Sequence, residues 1–339
     1  MTSSDSQAKR PGLQVAVLVP CYNEERSIER TIADFRDALP GATIYVYDNA
    51  STDRTAEVAR ACGAVVGSEP RRGKGNVLRR MFADVDADLY VMTDGDSTYD
   101  AARAPEMIAK LIDEKLDMVV GVRQHEDDAA YRPGHVLGNS MFNGVVSLLF
   151  EKQFTDILSG YRVLSRRFVR TFPILSSGFE IETELCIHAL HMRVPVGELP
   201  VTYSARPEGS VSKLRTLRDG FRILWTIVRL FAEMRPFTFF LTFFGVLLAT
   251  SLGLGSIVIE EFIRTGLVPR FPTAILATGL ALLAFLSLAC GFILDNVSRG
   301  RHEFKRLRYL AMPPLPGVGQ TPQGAQDTSQ YPGPPDDAG

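Results

Sequence analysis

Two uncharged stretches restrict this chain more than any other feature. Phe237 to Ile259 carries no charged residue, and neither does Phe271 to Leu294. Each is longer than the ~20 residues that cross the hydrocarbon core of a bilayer as a helix. In lipid the backbone must satisfy its polar groups within itself, so such runs fold as helices. The short link between them holds Glu260, Glu261, Arg264 and Arg270. The outer flanks are more basic, with Arg222, Arg229 and Arg235 before and Arg299, Arg301, Lys305, Arg306 and Arg308 after. The positive-inside bias puts both flanks in the cytoplasm and the link outside. A multi-pass protein of the plasma membrane is expected, with both termini cytoplasmic.

The 339 residues leave room for one large domain ahead of this hairpin. A formal net charge of −2 argues against bulk nucleic-acid binding, so no nucleic-acid partner is expected. Cys21, Cys62, Cys186 and Cys290 are widely spaced and form no metal-type pair. They read as reduced thiols of a cytosolic compartment. Residues 1–12 are polar, lack the apolar core of a secretory signal, and are expected to be disordered.

Between Leu13 and Tyr203 short apolar or β-branched runs alternate with helical stretches. Val15–Val19, Thr43–Tyr47, Val65–Val66, Leu89–Met92 and Met118–Gly121 read as strands. Helices are expected from Ser27, as a cap, to about Leu39, then over Thr55–Cys62, Gly75–Asp84 and Glu106–Glu114. The alternation predicts an α/β fold, a doubly wound and mainly parallel sheet. Ligands of such sheets bind at the carboxyl ends of strands. Pro20, Asp48, Asp94 and Arg123 each follow a strand and should share one rim. Gln124–Pro133 reads as a polar loop and Val136–Phe150 as a helix. Tyr161–Leu164, Val194–Leu199 and Val201–Tyr203 read as late strands. Phe179–Glu184 opens a further helix, with Glu180 and Glu184 one turn apart at the end that favours acids.

Asp94-Gly95-Asp96 stands where the buried run Leu89–Met92 ends. In extended backbone, residues two apart face the same way, so both carboxylates can meet one point. Two convergent carboxylates repel unless a cation lies between them. Hard oxygen ligands suit Mg²⁺ or Mn²⁺, ions that keep waters and share a diphosphate. The alternating acids through Asp100 also fit the start of an EF-hand, but Tyr99 replaces its turn glycine and Pro105 its closing glutamate. No Gly-x-Gly-x-x-Gly follows the first strand. The Arg71–Asn76 segment, Arg-Arg-Gly-Lys-Gly-Asn, lacks the spacing of a P-loop, although a basic glycine-rich loop entering a helix can approach an anion.

Leu214, Leu217, Phe221, Leu224, Val228 and Phe231 recur at spacings of three and four, with arginines on other faces. This amphipathic segment, 213–235, is expected to lie in the headgroup plane just before the spans. Gly245, Ala249 and Gly253 form a small-residue ladder able to pack against another helix and to support a homo-oligomer. From Pro313 the tail is rich in Pro, Gly and Gln and reads as disordered.

Three motifs in order carry a family resemblance: Val19-Pro20-Cys21-Tyr22-Asn23-Glu24-Glu25, Tyr47-Asp48-Asn49-Ala50-Ser51-Thr52-Asp53, and Asp94-Gly95-Asp96. Together they resemble the family 2 glycosyltransferases of GT-A fold. Asp156 with Ser159-Gly160-Tyr161-Arg162, Phe179-Glu180-Ile181-Glu182, and Arg206-Pro207-Glu208-Gly209-Ser210-Val211-Ser212-Lys213-Leu214 are similar to the polyprenyl-phosphate branch. That branch includes dolichyl-phosphate mannose synthases and bacterial undecaprenyl-phosphate glucosyltransferases. The resemblance implies a GT-A domain over 13–212, the juxtamembrane helix 213–235, two spans within 236–297, and a basic segment with a disordered tail over 298–339. It implies a nucleoside pocket lined by Pro20, Tyr22 and Glu24, with Asp48 on the base or ribose. Asp94 would lie by the nucleotide and Asp96 would ligate the metal, with Asp94 as its companion. Asp156 matches an acidic position implicated in catalysis. Arg206 and Lys213 would meet phosphate near the membrane. Arg123 matches an acceptor-phosphate position, with either Arg132 or His135 beside it.

The chemistry this implies is a metal-dependent hexosyl transfer from a nucleotide sugar, UDP-linked or GDP-linked, to a polyprenyl phosphate, with inversion. A lipid phosphate is already an anionic nucleophile and needs less help from a base than a hydroxyl does. The alternatives are a processive polysaccharide synthase and a non-catalytic membrane adaptor. The only tryptophan, Trp225, lies outside the Gln-x-x-Arg-Trp pattern of the former.

Overall fold

The computed structural model describes residues 12–125, 154–204, 224–225, 228–229, 231–233 and 235–315. Among these residues the chain forms a seven-stranded sheet in the order β3-β2-β1-β4-β6-β5-β7. The central strands β1 (Val15–Cys21) and β4 (Leu89–Met92) pair in parallel. β2 (Thr43–Asp48) and β3 (Val65–Ser68) extend the sheet in parallel on one side. On the other, β6 (Arg162–Ser165) runs antiparallel to both β4 and β5 (Met118–His125), and β7 (Val196–Tyr203) pairs in parallel with β5. The continuous apolar runs of β1 and β4 are buried because helices cover both faces. One face packs on α1 (Ile28–Ala38), α2 (Thr55–Ala61) and α4 (Ala104–Asp113). The other packs on α3 (Lys74–Asp84), α5 (Arg166–Thr171) and α6 (Ile181–Met192).

Three local expectations change. β7 is a single strand through Pro200, which a strand at the end of the sheet order tolerates. β5 does not stop at Gly121, because its pairing with β7 continues to His125 opposite Tyr203. Ser27 does not cap α1 with its side chain; its backbone is helical, and its hydroxyl is drawn instead to the carbonyl of Gly95 at 2.8 Å. The expected helix over Val136–Phe150 lies outside the described residues.

Two helices are long and apolar enough to form a transmembrane hairpin, α7 (Pro236–Thr265) and α8 (Phe271–Leu310). They meet through small and hydroxyl side chains: Ser251 Oγ donates to the Ala277 carbonyl at 2.7 Å, and Ser287 Oγ to that of Phe240 at 3.1 Å. The Gly245–Ala249–Gly253 ladder is not at this seam. All of its residues are exposed, and nothing lies within 4 Å of where a Cβ would stand on either glycine. Phenylalanine pairs share the seam with these hydroxyls, Phe237 with Phe292 and Phe244 with Phe285, at ring centroid distances of 4.9 and 5.6 Å.

The α8 helix is longer than a bilayer crossing requires. Its 40 residues span about 60 Å at 1.5 Å per residue, roughly twice the ~30 Å hydrocarbon core. Residues 298–310 continue it and dock on the α/β domain. Arg306 Nη1 donates to the carbonyl of Met192, the last residue of α6, at 3.1 Å. One turn on, Tyr309 is buried in the core beneath α3, α5 and α6. Its hydroxyl donates to Asp117 Oδ2. Asp117 has no exposed surface and is held further by Ser165 Oγ at 2.6 Å and by the Arg167 guanidinium. Removing one donor from such a buried charge leaves an acceptor without water or partner. Tyr309→Phe should therefore lower stability by about 1–3 kcal/mol, read as a drop in the thermal midpoint of the detergent-solubilised protein. An unchanged midpoint would show that Asp117 does not depend on this helix.

Candidate active site

The rim at the carboxyl ends of β1, β2 and β4 is built by loops that fasten one another. After β1 the backbone N–H groups of Asn23, Glu24 and Glu25 donate to Ser51 Oγ (2.9 Å), Thr55 Oγ1 (2.8 Å) and Asp53 Oδ2 (3.2 Å) of the next loop. Asn23 Oδ1 in return accepts the Thr52 N–H at 2.8 Å. The hydroxyl-rich run Ser51 to Thr55 thus fixes Tyr22 to Glu25 in place. Asn23, Ala50 and Ser97 all adopt left-handed backbone (φ 52, 56 and 55°), a conformation that non-glycine residues hold only where the surroundings over-determine it.

Asp94 and Asp96 reach the rim by a turn, not by extended backbone as the spacing suggested. β4 ends at Met92, and the chain bends through Gly95 and Ser97. Gly95 is required there, because a Cβ would lie 2.6 Å from Cys21 Sγ. The turn rests on α1 through Ser27 and through Ser97 Oγ, which donates to the Ser27 carbonyl at 2.9 Å and meets Thr31 Oγ1 at 2.8 Å. Asp96 is buried, and its Oδ1 accepts from Thr98 Oγ1 at 2.6 Å and from the Thr98 N–H at 3.3 Å. The side chain of Asp94 is 31% exposed, and its Oδ1 receives Lys74 Nζ at 2.5 Å. Its Oδ2 abuts Gly160, where a Cβ would stand 2.6 Å away. Neighbouring Asp48 accepts the Ser51 N–H on Oδ2 at 3.2 Å, while its Oδ1 is buried with no partner among the described residues. Pro20 is the penultimate residue of β1, opposite Tyr47, Tyr22 lies 4.8 Å beneath the Arg72 guanidinium, and Glu24 Oε2 is 3.2 Å from Ser27 Oγ.

Lys74 and Glu182 also meet at this rim, and neither was among the site residues expected from the sequence. Lys74 opens α3, and its buried ammonium bridges Asp94 and Glu182 Oε1, the latter at 2.6 Å. Burial opposes the charge of Lys74, yet the two carboxylates outweigh it and raise its pKa above the lysine norm. Burial raises the pKa of Glu182 against the pull of Lys74. The neighbouring acids do the structural work expected of them. Glu184 accepts the N–H groups of Leu175 and Ser176 at 2.9 and 2.8 Å, and Glu180 accepts that of Gly178 at 3.1 Å. The available signal was a lysine between glycines at a helix start.

Arg123, on β5, and Asp156 form a two-pronged pair, Nε to Oδ2 at 2.7 Å and Nη2 to Oδ1 at 2.8 Å. Burial works against the Asp156 charge, but the Arg123 fork prevails and holds its carboxyl below the usual range. The Tyr203 ring lies 5.5 Å from the Arg123 guanidinium carbon and 5.1 Å from the Tyr99 ring. Tyr99 Oη accepts the Gly160 N–H at 2.8 Å, linking this pair to the Asp94 side of the rim. Arg132, His135, Arg206 and Lys213 lie outside the described residues.

Among the described residues no group of three His, Cys, Asp or Glu side chains is placed to hold a metal ion. That donor set fits an ion bound by one or two carboxylates that completes its shell with diphosphate and water. It does not fit a metal caged by protein alone.

The comparisons with known proteins agree with this geometry. Residues 16–172 match the model of glycosyl transferase family 2. Glycosyltransferase AglJ of Haloferax volcanii is 33% identical over 87% of this chain and 98% of its own length. The chain belongs to glycosyl transferase family 2. A dolichyl-phosphate hexose transferase of the same archaeon is 28% identical over 65% of this chain and 95% of its own. The fold is that of glucosyl-3-phosphoglycerate synthase from Mycobacterium tuberculosis, solved with Mn²⁺, uridine diphosphate and phosphoglyceric acid. That match has a TM-score of 0.54 at 21% identity, over 65% of this chain and 79% of that one. The α/β domain of this glycosyltransferase is thus GT-A.

A carboxyl whose pKa is depressed on folding keeps its stabilising contribution above the ordinary carboxylate range and loses it as pH falls through the lowered value. Asp156 should therefore contribute no limb to the pH–rate profile between about pH 5 and 8, well above the ordinary ~3.9. Asp156→Asn should lower transfer roughly ten- to hundredfold, as expected for a lost charge-assisted bond, and shift the whole profile down without changing its shape. A limb near neutrality that disappears in this variant would instead make Asp156 a titrating base.

Proposed function

We propose that this glycosyltransferase moves a single hexose from a nucleotide sugar, UDP-linked in preference to GDP-linked, to a polyprenyl phosphate at the cytoplasmic membrane face. The anomeric centre inverts, and the products are polyprenyl-phosphate sugar and nucleoside diphosphate. The observation that carries this reading is the course of α8. Its last turns grip Met192 and Asp117, which precedes β5 at the edge opposite the rim. The turns nearer the span come before these, so a single unbroken helix joins the apolar segment to the α/β domain, which supports a domain held at the membrane surface. Arg123 lies toward the far end of the same β5 strand. The dolichyl-phosphate hexose transferase relative supports the acceptor class, and the Mn²⁺ and uridine diphosphate of the structural neighbour support the donor.

On this reading, Pro20, Tyr22 and Glu24 line the nucleoside pocket, and the unpartnered Asp48 Oδ1 accepts a hydrogen bond from base or ribose. Asp94 and Asp96 would hold Mg²⁺ or Mn²⁺, which neutralises charge growing on the departing diphosphate. The acceptor phosphate is anionic at neutral pH and requires docking more than deprotonation. Arg123 is suited to that, since a guanidinium meets phosphate through parallel N–H groups. Asp156 aims the guanidinium through its fork. Arg206 and Lys213, with Arg132 or His135, complete the phosphate contacts. The amphipathic segment over 213–235 keeps the domain at the headgroup plane. The outward-turned ladder of α7 is where a second copy would pack.

Labelled nucleotide sugars presented with a short-chain polyprenyl phosphate should give one sugar per lipid in the wild type. Asp96→Ala should reduce that rate by at least about 10²-fold, the usual cost of a lost transition-state stabiliser. A polymer on the lipid would mark a processive synthase, and no transfer from any donor would leave the lipid-acceptor reading without support.

A further inference from the structure

We propose that Lys74 is a built-in counter-cation that keeps Asp94 from binding a free divalent ion, so that the ion enters only together with a diphosphate. The inference rests on the donor-site reading above and concerns the order in which that site fills. Lys74 Nζ lies 2.5 Å from Asp94 Oδ1 and 2.6 Å from Glu182 Oε1, with the lysine and glutamate side chains only 8% and 5% exposed. One buried ammonium therefore answers two carboxylates. A divalent cation approaching Asp94 alone would meet the lysine already in the position of strongest attraction, and like charges repel strongly where water is scarce. The other oxygen of Asp94 is walled by the Gly160 backbone. No third acidic or imidazole ligand is placed among the described residues to offset that repulsion.

A diphosphate reverses the balance. Its oxygens bring negative charge to the same point and supply most of the ligands that a hard cation requires. Lys74 can then keep Glu182 and turn its second contact toward the anion, while Asp94 is released to the ion. Nothing is transferred or broken; one ionic contact of Asp94 is exchanged for another. Lys74 acts here as a positioning residue, through Asp94.

The test measures Mn²⁺ binding to the purified full chain by electron paramagnetic resonance, with and without UDP. In the wild type, free Mn²⁺ should bind weakly and UDP should tighten it at least tenfold. In Lys74→Met, free Mn²⁺ should bind at least tenfold more tightly than in the wild type, and the effect of UDP should shrink. Lys74→Arg keeps the charge and should behave as the wild type. Lys74→Met strands Glu182 in the interior, so a double variant with Glu182→Gln removes that second buried charge and should show the same gain. Free Mn²⁺ binding that is no tighter in either methionine variant than in the wild type would overturn the inference while leaving the donor site standing. Failure of the wild type to bind Mn²⁺ even with UDP would instead sink the donor-site reading and this inference with it.

Discussion

A carboxylate taken out of water has to be answered by a cation or by hydrogen-bond donors, and the rim of this sheet is arranged by that requirement. Asp94 and Glu182 share Lys74, Asp156 takes the Arg123 fork, and Asp96 turns one oxygen to Thr98. Each pairing fixes the direction of a side chain that could otherwise sample many rotamers. The same pairings offset part of the negative charge of a strongly acidic rim before any ligand arrives. The match is incomplete at Asp48 and at Glu182, each of which has one carboxylate oxygen buried without a hydrogen-bond partner among the described residues. An acceptor left unmet in a stapled loop marks the point at which the protein gains most from a ligand that donates to it.

The same rule ties the catalytic domain to its anchor. Asp117 is fully buried at the start of β5, and Tyr309, Ser165 and Arg167 converge on it. Only Tyr309 comes from the hairpin, so this hydroxyl couples an α8 turn to the sheet register. Arg167 and Arg306 both lie over the Tyr309 ring, at 4.8 and 5.2 Å. Cation–π contact adds to burial there. A helix that is continuous from bilayer to domain transmits orientation in a way that a flexible linker cannot. On the proposed reading, that rigidity would suit an acceptor whose tail stays in lipid while its head meets the guanidinium of Arg123.

What could be read from the sequence depended on how local the cause was. β1 and β4 were visible because strands buried on both faces leave unbroken apolar runs. The positions of Pro20, Asp48, Asp94 and Arg123 on one rim followed from strand ends alone. The family resemblance named Asp156 and Arg123 but not their pairing. The geometry of Asp94-Gly95-Asp96 was misjudged, because nothing local announces the left-handed Ser97 that bends the chain. That residue is held by α1, which lies far back in the sequence. Lys74 could be read only as part of a basic glycine-rich loop able to approach an anion, since its carboxylate partners lie elsewhere in the chain and only folding reveals them. The docked end of α8 was hidden for a related reason. A basic segment after a span looks the same whether it lies on headgroups or grips a domain. Tyr309 gives no warning of Asp117.

The membrane and the site therefore pose one physical problem. Diphosphate departure needs cations, and lipid phosphate docking needs cations as well. A rim that carried them unpaired would hold anions indiscriminately. Here Lys74 and Arg123 are both committed to carboxylates in the ligand-free chain. An incoming anion must compete with Glu182 and Asp94 for one, and with Asp156 for the other. Free phosphate brings little beyond its charge to that competition. On the proposed reading, a nucleotide sugar would also bring a base to Asp48, and a polyprenyl phosphate would bring its tail to the bilayer. Selectivity on this rim thus comes from the ionic contacts that a ligand has to displace together with the second anchor that makes displacement favourable.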